Sequence, residues 1–177
     1  MRWQMVKFRK NQLLQLRGGK LPLEETVDLH LKRKHPQIVE AKPARFIGEA
    51  HATSGLFIIE GQVSGELTIE CARCLKRFPY SYNASSKEMF MDEDQIEFGV
   101  DEEMEIHPLE SDEIDVTPYL EATVLLSLPH TIVCSDDCKG LCPECGANRN
   151  EKDCGCVVER IDPRLAVLGE LFGKQDK

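Results

Sequence analysis

The sequence predicts an α+β protein dominated by β-structure: an antiparallel meander sheet or partly open barrel, with a few short helices and a C-terminal cysteine-rich segment shaped like a zinc knuckle. Three observations carry this prediction. Between Ala44 and Ala84 apolar and polar residues alternate in short runs broken by Ser-Gly pairs, the pattern of adjacent antiparallel strands. Helical spacing of apolar residues is confined to brief stretches. Six of the eight cysteines fall within Cys134–Cys156, which reads CSDDCKGLCPECGANRNEKDCGC.

Taken in order, Arg2–Phe8 is a candidate first strand, and Gln12–Arg17 a short helix closed by Gly18-Gly19. Thr26–Lys32 alternates Val27, Leu29 and Leu31 with polar residues, predicting a half-buried strand. Ala44–Thr53, Leu56–Val63, Glu66–Cys71 and Cys74–Ala84 follow as four strands. Their breaks are Ser54-Gly55, Ser64-Gly65 and Ala72-Arg73, and connections this short require antiparallel neighbours. Glu88–Asp115 holds 13 acidic residues and no Lys or Arg, which predicts a mobile loop over about 91–104. Thr117-Pro118 supplies a helix start, Leu120, Val124, Leu125 and Leu128 recur at helical spacing, and Pro129 ends the helix. Asp162-Pro163 opens a last short helix with Leu165, Leu168, Leu171 and Phe172 on one stripe. The expected organisation is a β-rich main domain over 1–130, a metal-binding segment over 131–160 and a C-terminal helix over 161–177.

The cysteine segment carries the clearest chemistry. Cys134, Cys138, Cys142, Cys145, Cys154 and Cys156 are all candidate metal ligands, and zinc takes four thiolates in a closed tetrahedral structural site. Cys142-Pro143-Glu144-Cys145-Gly146 has the knuckle spacing and forms the first pair; Cys154 and Cys156 are favoured over Cys134 and Cys138 as the second, because the eight-residue loop lets the chain return. No histidine lies in the segment, so a hydrolytic zinc with an open position is not expected. Cys71-Ala72-Arg73-Cys74, at a hairpin tip, is a possible second thiol pair: half of another metal site, a redox pair, or plain structure.

Charge is divided along the chain. The net charge is −9, but residues 1–50 hold 11 Lys+Arg against 5 Asp+Glu, while the rest hold 11 against 26. Such asymmetry points to a partner that meets one end of the molecule. Lys32, Arg33, Lys34, Arg45 and Arg73 are the candidate nucleic-acid or partner contacts. Residues 1–10 lack an apolar run and no membrane-length apolar stretch occurs, so neither a signal peptide nor a membrane span is expected, and the location is cytoplasmic. Reduced thiols in that compartment argue for metal over disulfides.

Five stretches in order, Ile69-Glu70-Cys71-Ala72-Arg73-Cys74-Leu75, Glu113-Ile114-Asp115-Val116, Leu126-Ser127-Leu128-Pro129, the run Lys139–Asn150 (KGLCPECGANRN) and Asp162–Leu168 (DPRLAVL), resemble the YceD-like large ribosomal RNA subunit accumulation proteins of bacteria and plastids. The resemblance spans nearly the whole chain. It implies a non-enzymatic ribosome-biogenesis factor needed for synthesis or accumulation of 23S ribosomal RNA, with no catalytic residues and no small-molecule substrate. Its partner is then rRNA or a large-subunit ribosomal protein. Structural Zn²⁺ is the cofactor expected from the cysteine spacing. The alternative is a thiol-redox or zinc-dependent enzyme using the Cys-x2-Cys motifs.

Overall fold

The computed structural model describes residues 6–16, 19–96 and 105–156. The chain divides into two compact units, one of Met1–Ala72 and Lys76–Cys134, the other of Arg73–Leu75 and Ser135–Lys177. The first carries ten named elements: β1 (Lys7–Arg9), α1 (Lys10–Leu14), β2 (Leu21–Val27), β3 (Ile38–Ala41), β4 (Ala44–Thr53), β5 (Leu56–Glu70), β6 (Arg77–Asp92), β7 (Ile106–Leu109), β8 (Glu113–Asp115) and α2 (Thr117–Ser127). A six-stranded sheet runs β2-β4-β5-β6-β7, with β3 added against the far half of β5; β1 and β8 form a separate antiparallel ribbon. The sheet is mixed rather than purely a meander, because β7 lies parallel to β6, and it does not close into a barrel.

The alternation over 44–70 builds the centre of this sheet. Phe46 and Ala50 on β4, and Phe57, Ile59, Val63, Leu67 and Ile69 on β5, all point to one face and are buried, while their neighbours face outward. On that face α2 contributes Leu120 and Val124 to the same apolar cluster. The ring of Tyr119 meets Phe90 edge-on, with centroids 5.0 Å apart. A tight turn at Ser54 and Gly55, both with positive φ (50° and 82°), joins β4 to β5.

The break expected at Ser64-Gly65 is absent: Leu56–Glu70 is one strand of 15 residues, and β6 is one of 16. Gly65 is paired with Tyr82 across the ladder, and the Tyr82 side chain lies over it, so close that a Cβ there would meet the hydroxyl at 2.6 Å and ring carbons at 2.8 and 3.1 Å. An aromatic ring therefore fills the gap that glycine leaves, and the strand continues. Gly61 and Gly48 oppose each other in the same way beneath the Phe46 ring.

The strand expected over Thr26–Lys32 also differs. β2 begins earlier, at Leu21, and stops at Val27; Leu29 and Leu31 stay buried, but Leu31–Arg33 is a 3-10 turn. The cause is a buried carboxylate that sequence reading missed. Glu121 of α2, 7 % exposed, accepts from the His30 backbone N–H (2.6 Å), His30 Nδ1 (3.2 Å) and Lys34 Nζ (2.6 Å), taking the amide that a neighbouring strand would have used. Burial pushes the Glu121 carboxyl up, but the hydrogen bonds from Lys34 and His30 outweigh it, and the net pKa lies below the usual 4.5. A lowered folded pKa means that this contribution to stability is complete above about pH 4.5 and is lost as pH falls through the folded value. Glu121→Gln is expected to cost about 2 kcal/mol at pH 7 and much less at pH 3, measured by urea unfolding at both.

The helix at Thr117 begins as expected but is capped differently. Val116 is the N-cap; the Thr117 N–H donates to Asp115 Oδ1 (3.0 Å), and the Thr117 hydroxyl accepts from the Val6 N–H (3.1 Å). Of the acidic stretch, Glu88–Asp92 completes β6, Glu93–Gln95 is a 3-10 turn, and β7 and β8 follow. The helix over 10–14 stops short of the expected Arg17. The loop expected over about 91–104 is thus replaced at its start by the end of β6 and a 3-10 turn; its remainder at 97–104, most of the first strand from Arg2 and the C-terminal helix lie outside the described residues. Among the described residues no helix is long and apolar enough to cross a membrane.

Candidate metal centres

None of the eight cysteines is joined in a disulfide. They fall into two sets of four, within each of which the sulfurs lie within 4.8 Å of one another: Cys142, Cys145, Cys154 and Cys156, and Cys71, Cys74, Cys134 and Cys138. Either set could hold a metal ion, and four convergent thiols are the donor set of a closed tetrahedral site.

The first set is built on a tight loop. The Cys142 N–H donates to the Ala147 carbonyl (2.8 Å) and the Gly146 N–H to the Cys142 carbonyl (2.8 Å), which turns the chain so that both sulfurs face one point. Gly146 takes φ of 72°, a left-handed conformation that glycine adopts without penalty. The amides of Cys145 and Glu144 point at the Cys142 sulfur and, with smaller help from the Cys154 and Cys145 thiols, bring its pKa down to about 7. Cys156 is pushed up to about 12, chiefly by its hydrogen bonds to Cys145 and Cys154. The return of the chain is set by Leu141 pairing with Asn148 and by the Arg149 N–H on the Gly140 carbonyl (3.0 Å).

The hairpin at Cys71 repeats this loop. Cys71-Ala72-Arg73-Cys74 has the spacing of Cys142-Pro143-Glu144-Cys145, and the Cys71 N–H donates to the Lys76 carbonyl (2.9 Å), five residues on, as Cys142 does to Ala147. The residue after the second cysteine again has positive φ, here Leu75 at 58°. A leucine in that region pays roughly 1–2 kcal/mol, and Leu75 is 55 % exposed, so little packing offsets it. Leu75→Gly is expected to stabilise the protein by about 1 kcal/mol, read as a raised urea midpoint. Both Cys-x2-Cys pairs of the sequence therefore stand on turns of one geometry.

Cys134 reaches Cys71 across 63 residues because Gln37 fixes the extended segment that leads to it. The Gln37 side-chain amide donates to the carbonyls of Glu70 (2.9 Å) and Ile132 (2.9 Å) and accepts from the Ile132 N–H (3.3 Å). The Ala72 N–H adds a bond to the Ile132 carbonyl (3.0 Å), and the Cys134 N–H points at the Cys71 sulfur (3.3 Å). Nothing in the spacing marks Gln37, a polar residue just after Pro36. Arg73 Nη1 donates to the carbonyls of Asp136 (3.2 Å) and Cys138 (3.1 Å), so the side chain read as a partner contact holds the turn that presents Cys138.

The other basic candidates are distributed unevenly. Lys34 is tied to Glu121 and Arg45 to Glu24, whereas Lys32 and Arg33 have no carboxylate partner among the described residues. Lys32 and Arg33 border a cavity of about 330 Å³ with Leu29 and Val39. A mixed group, Glu49, His51 and Glu60, lies on the outer sheet face; Lys20 pairs with Glu49 there and holds its carboxyl below the usual range.

Comparison with known proteins gives one family and several relatives. The family model for "Large ribosomal RNA subunit accumulation protein YceD" matches residues 59–172. A Bacillus subtilis protein, YlbN, whose function is uncharacterized, is 32% identical over 97% of this chain and 99% of its own length. A Mycobacterium tuberculosis protein, Rv2926c, also uncharacterized, is 34% identical over 67% of this chain and 56% of its own. The chloroplastic "Large ribosomal RNA subunit accumulation protein YCED homolog 1" of Arabidopsis thaliana is 38% identical over 41% of this chain and 23% of its own. No solved structure gives a significant match.

Proposed function

The chain belongs to the large ribosomal RNA subunit accumulation protein (YceD) family, and from that premise we propose that it is a non-enzymatic cytoplasmic factor that supports accumulation of 23S rRNA by binding a basic large-subunit ribosomal protein. Its eight cysteines hold two structural Zn²⁺ ions, one in each four-thiol set. Zinc fits because the donors are all thiolates, because amides aim at the sulfurs, and because neither set contains a histidine or leaves a position for substrate. The same closure argues against a hydrolytic or thiol-exchange role.

The observation that favours a protein partner over RNA is the state of the basic N-terminal block. Lys7, Lys10, Lys20, Lys34, Lys42 and Arg45 are each paired with a carboxylate, so about half of the positive charge counted in residues 1–50 is matched within the fold. What remains in excess is acidic. Asp92, Glu93, Asp94, Glu110 and Asp112 surround an open depression of about 950 Å³ whose single cation, Lys10, is bound to Asp92. Complementary charge of this kind speeds and selects capture of a basic protein.

The test is a pulldown of the tagged full chain, with and without RNase, compared with a Glu93→Lys, Asp94→Lys double variant. Capture of a large-subunit ribosomal protein should survive RNase and fall about tenfold in the variant. Loss on RNase treatment, or loss only in a Lys32→Glu, Arg33→Glu variant with a steep salt dependence, would instead favour direct rRNA contact.

A further inference from the structure

We propose that Asn150 is a positioning residue that couples the two metal sites: the loop closed by the metal at Cys142, Cys145, Cys154 and Cys156 carries Asn150, whose amide holds the Cys138 thiolate for the other metal. The inference rests on the two-zinc reading. Asn150 Nδ2 lies 3.4 Å from Cys138 Sγ, within reach of an N–H···S bond. The orientation of the amide follows from its other partners. The Lys139 N–H, one residue after Cys138, donates to Asn150 Oδ1 (2.8 Å), so that atom is the oxygen, and the NH₂ group faces the sulfur. Asn148 Oδ1 fixes the same side chain by accepting from Asn150 Nδ2 (2.8 Å) and from the Asn150 N–H (3.1 Å). Asn148 is itself held by pairing with Leu141 and by Glu151, to which its Nδ2 donates (2.9 Å).

The placement gives Asn150 a role that neither cysteine set needs for its own closure. Residues 146–153 bridge Cys145 and Cys154, so a metal there fixes both ends of the loop, and the loop in turn presents the Asn150 amide to Cys138. An N–H donated to a metal-bound thiolate withdraws part of its negative charge and fixes its direction, and outer partners of this type are worth about 10–100-fold in metal affinity. Loss of one metal therefore weakens the other through a single side chain. The coupling is positive: filling the site at Cys142 raises the affinity at Cys138.

The experiment follows zinc release from the loaded full chain into a chromophoric chelator, with cobalt substitution reporting the thiolate charge-transfer band of each site. Asn150→Ala should still bind two ions but release the more labile of them about 10-fold faster than wild type. Asn150→Asp, which puts a carboxylate beside the thiolate, should release that ion faster still. Cys145→Ser, which breaks the neighbouring site, should leave a single ion that departs as fast as the labile one of Asn150→Ala. Wild-type release of both ions from Asn150→Ala and Asn150→Asp would overturn the coupling while leaving the two sites intact. So would a remaining ion in Cys145→Ser that leaves at the wild-type rate. A wild-type chain holding fewer than two ions would sink the two-site reading, and the coupling with it.

Discussion

Replacing Cys142 by Ser is expected to remove one zinc ion from each chain and to unfold the loop over 141–156 while the sheet stays folded. Cys142 is 2 % exposed and stands at the turn on which its set is built, receiving the amides of Glu144 and Cys145. Without it three thiols remain, too few to close a tetrahedral thiolate site. The apparent binding free energy at stake is on the order of 10 kcal/mol, by analogy with zinc-finger peptides. Hydrogen exchange should show lost protection at the Cys142 and Gly146 amides and unchanged protection at Phe57, Ile59 and Val63 of β5. The sheet survives because its apolar cluster is drawn from residues 6–132 and includes none of the cysteine loop. Collapse of protection in both regions together would mean that the sheet depends on the metal.

The second large effect lies far from the cysteines. Gly61→Ala is expected to destabilise the protein by about 3 kcal/mol, measured by urea unfolding, since overpacking a filled core typically costs 1–3 kcal/mol and here the obstacle is backbone. A methyl at Gly61 would sit 2.5 Å from the Ile47 carbonyl oxygen, 2.7 Å from Gly48 Cα and 2.9 Å from the Phe46 ring. None of these can move without opening the β4–β5 ladder. Gly48→Ala meets the same pair from the other side, at 2.8 Å from Gly61 Cα, and the two substitutions should be far from additive because one separation of the strands relieves both. Phe46→Ala in the Gly61→Ala background should recover part of the loss, since it removes the ring that presses on the pair.

The strands at the centre of the sheet were legible because their signal is local. Ala44–Thr53 and the start of β5 at Leu56 lie where alternation and the Ser54-Gly55 turn put them. Gly65 misled for a physical reason: the residue that keeps the strand going is Tyr82, seventeen positions away and invisible to any short window. Glu121 was missed for a similar reason: its burial depends on Lys34 and the His30 amide, which come from another part of the chain.

The cysteine segment shows the same division. The turn at Cys142 is legible from Cys-Pro-Glu-Cys-Gly, since spacing and a glycine suffice to specify it. At Cys71 the Cys-x2-Cys pair at a hairpin tip is legible as well, but its likeness to the Cys142 turn is not, because the position that takes positive φ holds Leu75 instead of glycine. The neighbourhood of Cys134 and Cys138 to that hairpin depends on Gln37 and on the Ala72–Ile132 backbone bond, both tertiary. Four ligands drawn from two short pieces far apart in sequence carry no periodic signal. Lone charges were legible as charges and no more: half of the basic block turned out to face carboxylates of its own fold.

The most direct measurement is the metal content of the purified full chain, by inductively coupled plasma mass spectrometry after exhaustive dialysis, combined with the number of thiols that react with a chromogenic disulfide reagent before and after chelation. Two zinc ions per chain, with all eight thiols protected until the metal is removed, is the expected result. One ion per chain, with Cys71, Cys74, Cys134 and Cys138 freely reactive, would contradict the account.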